Sequence, residues 1–213
     1  MTKTSKLIAG LTLVAGFGVA ALPLSTYADM KTQDVLITVG VVDTAAIEDP
    51  GTVGDNVESC TNPDGGEVEL VGLNLGSDAG KGACAISISS NEGYKLSIKG
   101  SASTNPTSLT SGTNTIGTIA DTTFSGSAAS SWGTGAALVP STDAWGYNVA
   151  KSSTVSRDSI NSIFTVESTD RQVDSSATQA SGVVYTFGFA VTAPVGQAQG
   201  SYSGQVTLTV ETL

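Results

Sequence analysis

The chain reads as an all-β, antiparallel sandwich with long polar loops. Apolar residues alternate with small polar ones in short runs, the period-2 pattern of half-buried strands. After residue 28 no run shows the 3.6-residue spacing of an amphipathic helix. Ser, Thr, Gly and Asn fill the segments between runs, as turns and strand faces require.

Val35, Ile37, Val39 and Val41 alternate with Leu36, Thr38, Gly40 and Val42, which predicts a buried first strand. An acidic connection from Asp43 to Asn62 follows, with a turn at Asp49-Pro50-Gly51. Val68 and Leu70 share one parity, whereas Leu73 and Leu75 continue on the other. A switch beside Gly72 suggests a β-bulge. Cys84, Ile86 and Ile88, then Tyr94, Leu96 and Ile98, flank the turn Ser90-Asn91-Glu92-Gly93. They predict a hairpin with Ser87, Ser89, Lys95, Ser97 and Lys99 facing water.

Residues 100–135 offer only Ile116–Ile119 and Phe124 as strand material. A stretch this long predicts a functional surface or a mobile, decorated one. Trp145, Tyr147 and Val149 lie on one side of a strand over 144–149, and a weaker strand spans 159–166. Residues 168–181 read as a polar loop. Val183, Tyr185, Phe187, Phe189 and Val191 alternate strongly, and Tyr202, Val206, Leu208 and Val210 mark the last strand. About eight strands result, in one domain over 29–213, with 29–59 its first strand and acidic connection.

Residues 1–28 predict a secretory signal helix. Lys3 and Lys6 form its basic start, Leu7–Leu24 its apolar run, and Ala28 a small residue at the cleavage point. An uncleaved membrane anchor is the alternative, but Pro23 and the small-residue exit favour cleavage near Ala28. No transmembrane segment then remains, and the protein is secreted or held at the cell surface. No lipoprotein cysteine follows the leader, and no sorting motif or hydrophobic tail follows the last strand, so retention there would be noncovalent. The chain carries 9 basic and 19 acidic residues, a net −10. Removing Lys3 and Lys6 leaves 7 against 19, or −12. Such a surface repels phosphate backbones, so nucleic acid is not an expected partner. An isolated cysteine pair in an exported protein, Cys60 and Cys84, predicts a disulfide.

Three stretches in order carry a family resemblance. They are Ala85–Ile98 (AISISSNEGYKLSI), Trp145-Gly146-Tyr147, and Val184–Gly188 followed by Gly200–Val210 (GSYSGQVTLTV). This set resembles exported Ser/Thr-rich surface proteins of candidate-phylum, Saccharibacteria-type bacteria. It is distantly similar to the Gram-positive WxL surface domain. The resemblance implies a surface-exposed immunoglobulin-like sandwich. Leu208-Thr209-Val210 departs from the Trp-x-Leu of WxL domains, so their cell-wall binding is not implied.

Histidine is absent, which removes the usual hydrolase triads and histidine-containing metal sites. Lys95 and Lys99 face solvent and Lys151 lies in a polar loop, where a catalytic lysine would need burial. No acid falls on an apolar strand face with an evident partner, so no catalytic residue is assigned and no enzyme is expected. Asp49, Asp55, Asn56 and Glu58 are weak calcium candidates in no recognised loop signature. A solvated acidic face is the plainer reading, and no cofactor is required. Trp145 and Tyr147 read as core. Trp132, in a loop of small residues, is either a ligand contact or a cap on the sandwich.

Three functions fit. One is a non-catalytic structural or adhesive protein whose loops, about 100–143 and 168–181, meet a partner cell or matrix. The second is a fimbria-like subunit that associates with copies of itself. Its donor strand, carrying Val35, Ile37, Val39 and Val41, would complete a neighbour's sandwich. Pairing within its own chain is the simpler expectation for that strand. The third is a carbohydrate-binding module, which requires aromatic residues exposed together on one face.

Overall fold

The computed structural model describes residues 35–43, 46–48, 50–51, 53–61, 66–120 and 122–213, and the backbone alone for 35–43 and 46–48. The expected signal helix over 1–28 lies outside these residues. Fourteen strands follow in order: β1 (Val35–Asp43), β2 (Ala46–Glu48), β3 (Glu58–Ser59), β4 (Glu67–Leu70), β5 (Gly80–Ser90), β6 (Tyr94–Gly100) and β7 (Ser108–Ser111). The remainder are β8 (Asn114–Gly117), β9 (Ala136–Ala137), β10 (Ala144–Ala150), β11 (Ser162–Ile163), β12 (Arg171–Ser176), β13 (Ala180–Thr192) and β14 (Tyr202–Thr212). Among the described residues one 3₁₀ turn occurs, Arg157–Ser159. Among the described residues no helix is long and apolar enough to cross a membrane.

The expected all-β sandwich is what forms. Sheet A has the order β12-β6-β14-β1-β4, with the β7–β8 hairpin joined to β14. Sheet B has the order β10-β13-β5-β2, with β3 also against β5. Alternation explains the core between them. Cys84, Ile86 and Ile88 of β5 and Tyr185, Phe187, Phe189 and Val191 of β13 point inward from sheet B. Tyr94, Leu96 and Ile98 of β6 and Tyr202, Val206, Leu208 and Val210 of β14 meet them from sheet A. Most ladders are antiparallel, but β1 runs parallel to β14 and β3 parallel to β5.

Three expectations need correction. The predicted hairpin is an arch, because β5 belongs to sheet B and β6 to sheet A. Their apolar residues do face one core, but from opposite sides. A shared inward parity is satisfied equally by a hairpin and by an arch, so the pattern could not separate the two. Ser87 and Ser97, expected in water, are buried. The loop over 168–181 contains β12, an edge strand paired to β6 with a register shift between Gln172 and Asp174. Only Val173 gives it an apolar residue, too little for a periodic signal.

Residues 100–143 are not a decorated loop. Leu109 and Ile116 of the β7–β8 hairpin enter the core, and Phe124 packs edge-on against Phe164 with ring centroids 4.9 Å apart. The weaker strand over 159–166 shrinks to β11, which pairs β9. Gly72 sits at the parity switch with φ +82° in the left-handed region. The strand itself stops at Leu70, and pairing persists as isolated bridges, Val71–Lys81 and Asn74–Asp78.

Cys60 and Cys84 form the expected disulfide, both buried, with a Cα–Cα distance of 5.0 Å. Closing a loop of this size stabilises the fold by about 3.5 kcal/mol on the chain-entropy account. Cys60→Ser should therefore lower the melting temperature by roughly 7–14 °C under oxidising conditions. Calorimetry of oxidised wild type and variant checks this, and an unchanged melting point would show that the disulfide contributes nothing.

Candidate functional site

The densest polar chemistry in the described chain lies between the sheets at one end. Tyr94 arrives on β6, Asp174 on β12 and Tyr185 on β13, while Lys151 follows β10 directly. The Tyr185 hydroxyl donates to Asp174 Oδ2 at 2.6 Å, and Lys151 Nζ donates to the same oxygen at 3.0 Å. The two tyrosine hydroxyls lie 2.5 Å apart. Since Tyr185 has one proton and gives it to Asp174, Tyr94 is the donor to Tyr185. The Lys151 ammonium also sits 5.6 Å from the centre of the Tyr185 ring.

Asp174 is thus a buried carboxylate on an inward strand position, the arrangement that the sequence pattern did not reveal. Its neighbours Gln172, Ser175 and Ser176 hide the parity. The available signal was the pair of core tyrosines, whose buried hydroxyls need polar partners.

The charges within this clamp are mutually dependent. Burial, hydrogen bonds with Asp174 and Tyr94, and their charges all raise the Tyr185 pKa, so its hydroxyl stays protonated. Burial alone would lower the Lys151 pKa, but the hydrogen bond to Asp174 and neighbouring charge outweigh it and raise the value above 10.5. Lys151 is therefore a fixed cation, not the neutral amine of a lysine nucleophile.

Tyr147 offers a contrast. Its ring packs with Phe124 and Phe164, yet its hydroxyl has no hydrogen-bond partner among the described residues. Burial, followed by the Glu167 charge, raises its pKa, and Arg171 opposes this. Arg171 itself holds Glu167 through two nitrogens, at 2.6 and 3.1 Å to Oε1.

Trp132 is half-buried and lies on the outer face of sheet B. Its indole N–H donates to Ser159 Oγ at 2.9 Å and to Ser156 O at 3.1 Å. Its ring edge lies over Gly188 of β13, where an added Cβ would come within 3.0 Å of it. With Ile160, Ile163, Ala83 and Ala190 it forms a second apolar cluster outside the main core. The contacts are those of a cap, and part of the indole stays accessible.

Asp55, Asn56 and Glu58 are exposed, and Asp49 lies outside the described residues. The Asn56 amide donates to Asp158 Oδ2 at 3.2 Å. No group of three or more Cys, Asp or Glu side chains suited to a metal ion occurs among the described residues. Lys95 pairs with Glu211 and Lys99 with Asp170 on the outer face of sheet A, as expected of solvated lysines.

The first strand occupies an interior place. β1 pairs β14 through nine residues, from Val35–Tyr202 to Asp43–Val210. On its other side it pairs β4 through four, from Val35–Leu70 to Thr38–Glu67. It lies within its own sandwich.

No protein-family model matches the chain, and no curated protein does.

Tyr185→Phe removes a hydrogen bond to a charged acceptor and should cost about 1.5–3 kcal/mol. Tyr147→Phe removes a hydroxyl with no protein partner and should be neutral or stabilising. Denaturant titration of both variants checks the pair, and equal losses would refute the clamp. Stability should also fall at high pH. Tyr185, Tyr147 and Lys151 all have raised values in the folded state. Below the unfolded tyrosine value near 10 both states hold these protons, and above it only the unfolded state releases them. Melting temperature should thus be flat from pH 7 to 9 and drop beyond pH 10, less steeply in Tyr185→Phe.

Proposed function

We propose that this protein is an exported, non-catalytic β-sandwich that makes structural or adhesive contacts at a cell or matrix surface. The observation that carries the proposal is the fate of the aromatic residues. Every described Tyr and Phe, together with Trp145, is buried, and Trp132 is half-buried. A carbohydrate-binding module would display a set of them on one face, so this arrangement favours the structural reading over sugar stacking.

The interior ionisable groups support the same conclusion. Asp174 and Lys151 neutralise one another and hold two tyrosines, an arrangement that fixes sheets and leaves no poised base or nucleophile. The buried disulfide suits an oxidising compartment, in keeping with the leader-like sequence before it. The exposed turns, rich in Ser, Thr and Asn, would supply hydroxyl and amide contacts to a partner surface. No calcium is needed for this role.

Cell fractionation and binding test the proposal together. The chain, expressed with its own leader, should be recovered outside the cytoplasm and be accessible to protease on intact cells. The labelled purified protein should adhere to cells or matrix, and free oligosaccharides should not compete. Cytoplasmic retention would refute export, and competition by a sugar would favour the carbohydrate-binding reading.

A further inference from the structure

We propose that β1 is an exchangeable strand, and that a second copy of this chain can supply it to sheet A. This deepens the surface-contact reading by naming a partner, and rests on that reading only for the crowding that brings copies together.

The argument begins with covalent order. The first cross-link in the chain is at Cys60. Before it, β1 and β2 are joined to the body by backbone pairing, and the segment next to the disulfide is joined by Arg157 N–H to Asp55 O and by Asn56 to Asp158. The connection from β1 to that anchor pairs weakly, through three residues of β2 and two of β3 against β5. Its turn residues Gly51 and Asn56 have φ of +69° and +59°. The 14 residues between Asp43 and Glu58 can extend roughly 50 Å. That exceeds the roughly 40 Å width of a compact domain of this size. The arm can therefore reach a neighbouring molecule while the stapled body stays folded.

The receiving site is equally defined. β14 and β4 do not pair each other, and β1 alone joins them. Without it, the facing edges of β14 and β4 present unpaired N–H and C=O groups, beside the buried residues Val68, Leu70, Val206, Leu208 and Val210. An unpaired edge beside apolar surface is a template for strand addition. The occupant that fits in register is already known, because residues 35–43 of this sequence fill the place in cis. A second copy presents the same nine residues, and the same hydrogen bonds form. Exchange then costs association entropy rather than contacts.

Chain order makes the competition real. β1 is made before its main partner, β14. The two are separated by more than 150 residues, so this ladder cannot form until β14 has been made. During that interval the strand of one copy and the edge of another are both available.

The test uses register partners on β1 and β14. Thr38 lies opposite Gln205, and Gln205 is exposed. One full-length chain carries Thr38→Cys and a second, of different tag size, carries Gln205→Cys; they are co-expressed with their leaders. The expected result is a covalent heterodimer on non-reducing gels, exceeding the homodimers each variant forms alone. The double variant Thr38→Cys/Gln205→Cys serves as the reference. If it closes within one chain while the mixed pair gives no heterodimer, β1 stays in cis and the proposal is overturned. If neither bond forms, β1 does not lie beside β14 in this register, which overturns it as well. An oxidant is added to the cell lysate before the gel, so the trap reads strand placement whether or not the chain is exported, and its failure is distinct from failure of surface export.

Discussion

Sheet A depends on its last strand. β14 pairs β6 through Val206–Thr212 on one side and β1 through Val35–Asp43 on the other, and touches β7 at Ser203. Each second residue from Val206 to Val210 is sealed in the core, with Tyr202 sealed beside them. One backbone thus serves two ladders and one packed face. Gly204 shows how tightly it is placed, since an added Cβ would lie 2.6 Å from Leu109. β1 can therefore be positioned only after β14 has been made. Sheet A is completed by two strands far apart in the sequence, and the proposed exchange with another copy rests on that separation.

Two devices hold the layers, and they act on different states. The disulfide limits the unfolded ensemble and fixes the acidic connection to β5, within sheet B. The Tyr94–Tyr185–Asp174–Lys151 clamp acts in the folded state, joining β6 and β12 of sheet A to β13 and the end of β10. A buried carboxylate contributes little net stability relative to well-packed apolar side chains. It does penalise misplacement, because a shift of β12 by one residue would leave Asp174 without its partners. β12 has only Val173 to set its register by packing, so this polar contact supplies what the apolar pattern lacks.

The strands with strong alternation were legible in the sequence: β10, β13, β14 and the arms of β5 and β6 lie where their periodicity placed them. The disulfide followed from the cysteine count and the leader-like pattern of residues 1–28. Strand partnership was not legible, and the β5–β6 arch is the clear case. Period-2 patterning reports which face is inward and carries no information on which sheet a strand joins. The outer cover of sheet B was equally hidden. Ala83, Gly188 and Ala190 are small because the segment carrying Trp132, Ile160 and Ile163 rests on them, whereas small residues on an outer parity read as solvent-facing. The candidate site was half-visible: Tyr94 and Tyr185 appeared as core, but Asp174 is embedded among polar neighbours and Lys151 follows its strand without a pattern.

The same small-residue face bears on the surface contacts proposed for this molecule. Sheet B is covered inside by sheet A and, in part, outside by the Trp132 segment, so its strands present little apolar surface to a partner. Among described residues the exposed large hydrophobic side chains are Val139, Val195 and Leu213, and they are scattered along the chain. Isolated apolar residues of this kind do not make a hydrophobic docking patch. Contact by such a surface must come from hydroxyls, amides and carboxylates, which bind weakly one at a time, or from backbone edges, which bind cooperatively along a strand. For a chain whose first strand already completes a sheet through its backbone, the second route requires no new chemistry. It requires only that the strand and the sheet belong to different molecules.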